Sequence, residues 1–249
     1  MAPRTRTADK IAGDGASAPV AQKNFLLSRL PNSERAALLR NAEIIKPTLR
    51  EVLSDIGDPI DRVTFPISGL ISIVHQLKDQ TTLEAMTVGR EGFDGLDLFH
   101  RVKARPMRHM CQIEGEFISV PAKSFNEVLA NGEVFSTLVH RYAQFATEIL
   151  TQSAACNAMH MIEQRCARWL LTSSDGIGRT AFNLTQEFLS QMLAVRRPGV
   201  TVAMGALERL GVITHRYGTI KIVDVEGLKK AACECYETIT NRQRELFEH

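Results

Sequence analysis

The sequence contains no long hydrophobic run, since none of its apolar stretches approaches the ~20 residues that a membrane-spanning helix requires. Residues 1–22 are basic at first and then small and polar, without the apolar segment that defines a secretory signal. We therefore expect a cytoplasmic protein with no membrane partner, and we interpret residues 1–22 as a disordered arm. Neither sign of charge is in large excess, because the formal net charge is only +2. A nucleic-acid-binding surface would therefore have to be a local basic patch.

Cysteine is sparse as well: none of the five cysteines precedes Cys111 and no two form a CxxC pair, so a disulfide framework is not expected. Cys233 and Cys235 have C-x-C spacing, which is weak evidence for a metal, and we favour an ordinary last helix, Val225–His249, that carries two small residues. Whether these two thiols are redox-active stays open. The sequence has no nucleophile–base constellation, metal-ligand spacing or phosphate-binding loop, so we expect no enzyme, no metal site and no bound cofactor.

The stretch from Leu184 to Gly211 is typical of two short helices joined by a tight turn. Thr185 is a suitable N-cap, and Pro198 suits the start of the second helix, where no N–H is needed. Gly211 suits the positive φ at which many helices end. The apolar positions recur at helical spacing: Leu189, Met192 and Leu193 in the first helix, then Val200, Ala203, Met204, Leu207 and Leu210 in the second.

Positive and small side chains lie off this apolar stripe, near the start of the second helix. The β-rich runs Val212–His215 and Thr219–Val223 flank a turn with glycine and predict a two-stranded wing. Arginine binds guanine edges or phosphates and a small apolar side chain contacts the thymine methyl group, although an ordinary helical pair with a solvated basic end has the same pattern. The candidate DNA-binding residues are Thr185, Arg196, Arg197, Pro198, Thr201, Val202, Arg216 and Lys221.

Between Ala42 and Pro121, short apolar runs alternate with Gly, Pro and Asp, which predicts an all-β first domain. The runs are Ile44-Ile45, Val52-Leu53, Val63–Phe65, Leu70–Val74, Thr82–Val88, His109–Ile113 and Phe117–Val120.

Residues Val128–Ala155 have a strongly helical pattern whose apolar positions are alternately three and four residues apart. A mean spacing of 3.5 is typical of a coiled-coil seam, but a helix that packs only on its own domain can show it too. Because Val134, Val139 and Leu150 add apolar side chains elsewhere on the helix, we expect one face on the β domain and one on a second subunit of a homodimer. The residues assigned to the dimer seam are Phe135, Leu138, Tyr142, Phe145, Ile149 and Gln152.

The order of β domain, long helix and winged helix-turn-helix resembles the Crp/Fnr family of bacterial transcription regulators, over Phe25 to Lys230. The segments that carry the resemblance most specifically are Gly57–Ile60, Val63–Val74, Val88–Gly95 and Leu184–Ile213. It implies an α+β protein with four parts: the arm at 1–22, a β-roll of the cyclic-nucleotide-binding type at 23–125, a dimerisation helix at 126–156, and a winged helix-turn-helix domain at 157–249. It also implies a homodimer on near-palindromic double-stranded promoter DNA, with RNA polymerase as a further partner.

The sequence departs from this family at positions that matter for its ligands. Nucleotide-binding members hold the ribose with a Gly-Glu pair and the cyclic phosphate with an Arg followed by a small hydroxyl residue. Here Gly95 stands where the glutamate would be, and Arg108 is followed by His109. The resemblance thus implies an effector pocket at Gly95, Arg108 and His109 for an unknown small molecule other than cyclic AMP, since the ribose hydroxyl would lack its acceptor.

On the DNA side, Arg197, Pro198 and Val202 occupy the base-facing positions of the family. Pro198 replaces the usual glutamate, which removes an acceptor for cytosine, so the target sequence should differ from the usual family site. We expect a dimeric, sequence-specific DNA-binding regulator of transcription. The alternative is a ligand-sensing regulatory module whose C-terminal helices act through a partner protein.

Overall fold

The computed structural model describes residues 8–10, 17–78 and 82–248. They fall into two compact units, the first within Met1–Ile73 and Val88–Ala143 and the second within Val74–Thr87 and Gln144–His249. None of the helices formed by these residues is long and apolar enough to span a bilayer.

The strands, in chain order, are β1 (Ala8–Lys10), β2 (Glu43–Ile45), β3 (Val52–Ser54), β4 (Arg62–Pro66), β5 (Leu70–Gln76), β6 (Thr82–Val88), β7 (Arg108–Ile113), β8 (Phe117–Pro121), β9 (Ala181–Asn183), β10 (Ile213–Arg216) and β11 (Thr219–Ile222). The helices are α1 (Ser17–Ala21), α2 (Phe25–Ser28), α3 (Asn32–Leu38), α4 (Leu96–Phe99), α5 (Ala122–Asn131), α6 (Glu133–Met159), α7 (Ile162–Ile177), α8 (Gln186–Met192), α9 (Arg197–Arg209), α10 (Val225–Ala231) and α11 (Cys235–Phe247).

The β domain has two sheets, in the strand orders β1-β2-β8-β4 and β3-β7-β5-β6. All seven strands predicted between Ala42 and Pro121 are present, as β2 to β8. In the first sheet, β4 and β8 pair antiparallel with Val63 opposite Val120, and both side chains are fully buried. The rings of Phe65, Phe125 and Tyr142 surround Phe93 at centroid distances of 5.4, 5.4 and 5.1 Å. This aromatic cluster forms part of the core of the first unit.

The interpretation of residues 1–22 as a disordered arm is wrong for part of the segment. Ala8–Lys10 form β1, which pairs antiparallel with β2 and so satisfies backbone groups along that strand. Ser17–Ala21 form α1, and Ala21 is fully buried. Residues 1–7 and 11–16 lie outside the described part of the chain.

The single helix expected at 126–156 is interrupted at Gly132. The Glu34 carboxylate lies beside this break and accepts a hydrogen bond from the backbone N–H of Phe135 at 2.7 Å. A Cβ atom at Gly132 would lie 2.8 Å from a Glu34 oxygen and 2.9 Å from the backbone carbonyl oxygen of Val128, and because the latter cannot move aside easily, the position favours glycine. Glu34 thereby caps α6, which begins at Glu133 and crosses the boundary between the two units after Ala143.

The second unit contains the helix-turn-helix α8–α9 and a three-stranded sheet in the order β10-β11-β9. The hairpin β10–β11 was predicted, whereas β9 was not recognised because it has only three residues. The last helix was predicted as continuous, and this was wrong: it breaks at 232–234 into α10 and α11. Asp224 caps α10, its carboxylate accepting from the Gly227 N–H at 2.9 Å.

Candidate nucleic-acid interface

Helix α8 begins where Thr185 was expected to cap it. The Thr185 hydroxyl accepts a hydrogen bond from the Phe188 N–H at 3.2 Å. Leu189, Met192 and Leu193 are buried, as their helical spacing predicted. The turn after α8 includes Ala194, whose φ of 53° is the left-handed conformation that reverses the chain direction in a short space.

Helix α9 begins at Arg197, after the extended residue Arg196. Val200, Ala203, Met204 and Leu207 are buried at 0 to 1% exposure, so the predicted apolar stripe is confirmed at these four positions. The fifth, Leu210, is 66% exposed, because it lies at the C-cap, where Gly211 with φ of 73° turns the chain away from the core.

Contacts behind α9 fix its position within the second unit. The buried side chain of Arg165, on α7, donates from Nη2 to the backbone carbonyl of Leu193 in the turn. Burial lowers the pKa of Arg165 from its usual value, and this carbonyl accepts one of its N–H groups. A Cβ atom at Gly199 would approach the Ile162 Cδ1 atom to 3.2 Å, so the start of α9 lies close against α7. These contacts hold the start of α9 at a defined distance from α7.

The predicted DNA-binding residues lie on the solvent side of this helix pair and its wing. All eight are exposed, and Val202 retains 60% of its accessible surface although it is apolar. On α9, Arg197 and Thr201 are one helical turn apart and follow the same face. Arg197, Thr201 and the neighbouring Val202 therefore lie on the exposed side of α9, which we call the basic face.

Sequence reasoning missed one residue that contacts the basic face, Gln186. Its side-chain oxygen accepts a hydrogen bond from the Thr201 hydroxyl at 2.9 Å, which joins the start of α8 to α9. Thr201 also lies 3.2 Å from the Arg197 carbonyl. Polar residues that directly follow a predicted N-cap are the signal that could have identified Gln186.

The wing turns at Tyr217 and Gly218, which have φ values of 52° and 79°. Two consecutive positive φ angles are typical of the tight turn that matches the twist of a hairpin. Strand alternation buries Ile220 and Ile222 and exposes Lys221, while Arg216 is exposed at the end of β10. The Tyr217 side chain is fully exposed at the tip. The wing therefore presents two cations and an aromatic ring to solvent.

The assignment of the dimer seam is wrong for the residues at its N-terminal end. Phe135 and Tyr142 are fully buried within the single chain, where Phe135 packs edge-on against Phe125 and Tyr142 packs against Phe93. Leu138 and Phe145 are also buried, at 6% and 3% exposure. A side chain that is already buried in its own subunit has no surface left for a partner.

The last two seam residues, Ile149 and Gln152, are half-buried. Gln152 donates from Nε2 to the Cys235 Sγ at 3.0 Å. The face that the 3.5-residue spacing identified is therefore the intramolecular face of α6, which is the alternative that the pattern left open.

The three residues predicted for an effector pocket do not share a set of partners: Arg108 and His109 bind different carboxylates, and Gly95 is closely packed. Arg108 donates to both oxygens of Asp55, at 3.0 and 2.8 Å, and this hydrogen bonding lowers the pKa of the Asp55 carboxyl. His109 is buried, and its Nδ1 lies 2.7 Å from Asp94 Oδ1. A Cβ atom at Gly95 would lie 2.7 Å from Val63 Cγ1. The space that a ribose-binding glutamate needs is therefore filled.

Asp94 lies at the centre of a buried charge network. Its carboxylate accepts from Arg105 Nη1 at 2.9 Å, and the same nitrogen donates to Asp97 at 3.0 Å. Burial raises the pKa of Asp94, but the charges of His109 and Arg105 and their hydrogen bonds outweigh burial and bring the pKa below its usual value. The network therefore stabilises an ionised carboxylate inside the first unit.

Comparisons with known proteins agree with this geometry. A family model described as the Crp-like helix-turn-helix domain matches residues 164–231, and none of the curated proteins matches the chain in sequence. Among solved structures, FixK2 from Bradyrhizobium japonicum is 12% identical with a TM-score of 0.66, over 77% of this chain and 98% of that one.

Two further structures cover nearly the whole of their own chains. A transcriptional regulator of the CRP family from Thermus thermophilus is 18% identical with a TM-score of 0.62, over 75% of this chain and 95% of that one. The c-di-GMP-responsive global regulator CLP from Xanthomonas campestris is 16% identical with a TM-score of 0.60, over 77% and 99%. The chain therefore has the α+β fold of the Crp/Fnr transcription regulators, and its residues 164–231 match the Crp-like helix-turn-helix domain.

Proposed function

We propose that the protein is a homodimeric, sequence-specific regulator that binds double-stranded promoter DNA in the bacterial cytoplasm and has no catalytic activity. The observation that carries the proposal is the basic face, where Arg197, Thr201 and Val202 project from the first turns of α9 while the opposite side of the helix is buried. An exposed apolar residue beside arginine has the chemistry of a major-groove contact, since valine can touch a thymine methyl group. An unidentified small-molecule effector and RNA polymerase complete the set of partners that we propose.

In this proposal, α9 contacts the bases, whereas the residue before it and the wing contact the phosphates. Arg197 lies at the start of α9, where a helix-turn-helix directs side chains at base edges, so we assign it to direct base recognition. Arg196 precedes the helix, and Arg216 and Lys221 lie on the wing. These three cations are assigned to the DNA backbone, where they fix the position of the protein without reading sequence.

The dimer that we propose uses the other face of α6. Thr147, Leu150, Ala154 and Ala158 recur three to four residues apart and are all exposed, with Leu150 at 42%. They lie opposite the half of the helix that carries Phe145 and Cys156, both buried. Small and apolar side chains allow two helices to approach closely. We propose that this stripe packs against the same stripe of a second copy of the chain.

Selection of binding sites from random DNA, combined with salt titration, tests the assignment. Arg197→Ala should cost ~1–3 kcal/mol in each half-site and relax the preference at one position, because alanine cannot reach the base edge. Lys221→Ala should weaken all sequences equally and lower the salt slope by roughly 0.9 for each phosphate that the protein no longer neutralises. Lys123→Ala is the matched control, since this exposed lysine lies on α5 in the first unit.

The competing function, a ligand-sensing module that acts through a partner protein, gives a different result. Such a protein would enrich no sequence from random DNA and would leave a heparin column at low salt. If Arg197→Ala kept the wild-type preference while Lys221→Ala altered it, the assignment of the base-reading helix would be wrong.

A further inference from the structure

Four potential metal ligands from distant parts of the sequence converge in the second unit. Cys156 lies near the end of α6, His160 follows that helix, Cys233 lies in the break between α10 and α11, and Cys235 begins α11. One donor atom from each lies within 4.8 Å of the other three. The three cysteines are not joined by a disulfide and are buried at 4% exposure or less, and the His160 side chain is 17% exposed.

The separations fit a single tetrahedral ion. Zinc bound at about 2.3 Å by sulfur and about 2.0 Å by nitrogen requires S···S edges of about 3.8 Å and S···N edges of about 3.5 Å. The Sγ atoms of Cys156 and Cys233 are 3.5 Å apart, and Cys235 Sγ lies 3.6 Å from His160 Nδ1. We propose that Cys156, His160, Cys233 and Cys235 form a structural zinc site, with Nδ1 as the histidine ligand.

A second observation points to the same ion. The other ring nitrogen of His160, Nε2, lies 3.1 Å from a carboxylate oxygen of Glu234. A zinc-bound histidine commonly donates its remaining N–H to a carboxylate, which fixes the ring and directs the free nitrogen at the metal. Gln152 donates from Nε2 to the Cys235 sulfur at 3.0 Å, which orients one of the sulfur ligands. The four ligands are thus supported by hydrogen bonds on two sides.

The charge around the cluster suits this donor set. Three thiolates carry three negative charges and a zinc ion carries two positive ones. The loaded site therefore has a net charge of about −1, which a nearby cation would stabilise. Arg168 is buried on α7, and its positive charge acts on Cys156. Arg165, buried on the same helix, also interacts with Cys156 and Cys233. The donors, softer than carboxylates, favour zinc over magnesium or calcium.

The four ligands leave no coordination position for a substrate, so the role of the ion is to hold helices together. It connects the end of α6 to the junction between α10 and α11, while α10 and α11 themselves pack on α7. Since α7 also packs against α9, the ion secures the helices that support the basic face. This inference does not depend on the proposed function.

Cobalt titration of the reduced, chelator-stripped full-length protein tests the site. We expect about one Co²⁺ per chain, with the visible bands of tetrahedral cobalt and the near-ultraviolet band of thiolate-to-cobalt charge transfer. In Cys156→Ala and Cys235→Ala the charge-transfer intensity should fall. Cys166→Ala is the matched control, because Cys166 is fully buried in the same unit and lies outside the cluster.

Glu234→Ala keeps the test valid if the cysteine variants fail to fold. The Glu234 side chain is 75% exposed, so its removal leaves the core intact, yet it abolishes the orienting hydrogen bond to His160. We expect zinc affinity to fall about tenfold, at the lower end of the range for supporting residues because Glu234 is largely exposed. Glu237→Ala, which removes an exposed carboxylate from the first turn of α11, should bind zinc like the wild type.

Three results would overturn the zinc site. The first is a cobalt spectrum without thiolate charge transfer, or one typical of octahedral coordination. The second is a Cys235→Ala variant that binds Co²⁺ as tightly as the wild type. The third is a Cys156–Cys233 disulfide, found by mass spectrometry in protein prepared with a reductant, which would make these thiols a redox pair.

Discussion

Replacement of Asp94 by asparagine tests the buried network that occupies the effector region. The Asp94 carboxylate is buried and accepts hydrogen bonds from Arg105 and His109, so Asp94→Asn leaves a buried guanidinium with less negative charge around it. Breaking a buried ion pair costs about 3–5 kcal/mol. Asp97 remains 3.0 Å from Arg105 Nη1, so we expect the lower end of this range, about 3 kcal/mol.

For a unit of this size, about 3 kcal/mol corresponds to a fall in Tm of roughly 10 °C, measured by calorimetry or circular dichroism. The control is Asp97→Asn, since Asp97 is partly exposed and its contact with His109 Nε2 is long, at 3.8 Å. Its cost should be about 1 kcal/mol. A Tm for Asp94→Asn within about 2 °C of the wild type, or a larger decrease for Asp97→Asn, would refute the reasoning.

The difference in stability between the wild type and Asp94→Asn should depend on pH, and the direction of this dependence follows from the pKa of Asp94. The folded pKa of Asp94 lies below its unfolded value, which is near 3.8. Its ionised form therefore contributes its full stability above that unfolded value and loses it as the pH falls through the folded pKa. The difference in stability between wild type and Asp94→Asn should be constant near neutral pH and shrink below about pH 4. A difference that grew with acidity would contradict the direction of the shift.

Two further predictions concern the dimer and the effector. Leu150→Glu should give monomers at micromolar concentration in analytical ultracentrifugation while the fold is kept, because Leu150 is 42% exposed; Lys123→Glu should remain dimeric, and a monomeric wild type would reject the interface. Gly95→Glu should gain no affinity for cyclic AMP in calorimetry and should be destabilised by about 1–3 kcal/mol, because its Cβ would lie 2.7 Å from Val63 Cγ1. Low-micromolar binding of cyclic AMP by the wild type would contradict this second prediction.

Local signals were sufficient for the helix-turn-helix and for the strands. Thr185 caps α8 and Gly211 ends α9 with a positive φ, and both roles depend on the side chain and backbone of a single residue. The seven strands of the β domain were recognisable from short apolar runs between turn residues. The break at Gly132 was overlooked although Asn131-Gly132 is a local turn signal, whereas the capping of α6 by Glu34 could not be read locally, because Glu34 lies about a hundred residues earlier.

Periodicity identified the apolar face of α6 but could not say what covers it. The stripe through Phe135 and Tyr142 has the spacing of a subunit seam. In the structure it is covered by aromatic side chains of its own unit and not by a second subunit. Apolar spacing measures how a helix is buried and carries no information about which chain buries it. Leu150 was noted as an apolar residue off the seam, but the residues in its row, such as Ala154, are small and add little to an apolar pattern, so the row itself was not recognised.

The proposed zinc ligands were missed for a different reason, which concerns the assumed secondary structure around the C-x-C pair. In a continuous helix, residues two apart differ by about 200° around the axis, so the thiols of a C-x-C pair point away from each other. Sequence reasoning assumed a continuous helix and gave the pair little weight. The break at 232–234 removes this constraint, because Cys233 leaves the helical path and Cys235 begins a new helix. Both sulfurs can then face Cys156, which is 77 residues from Cys233, and no local pattern contains that relation.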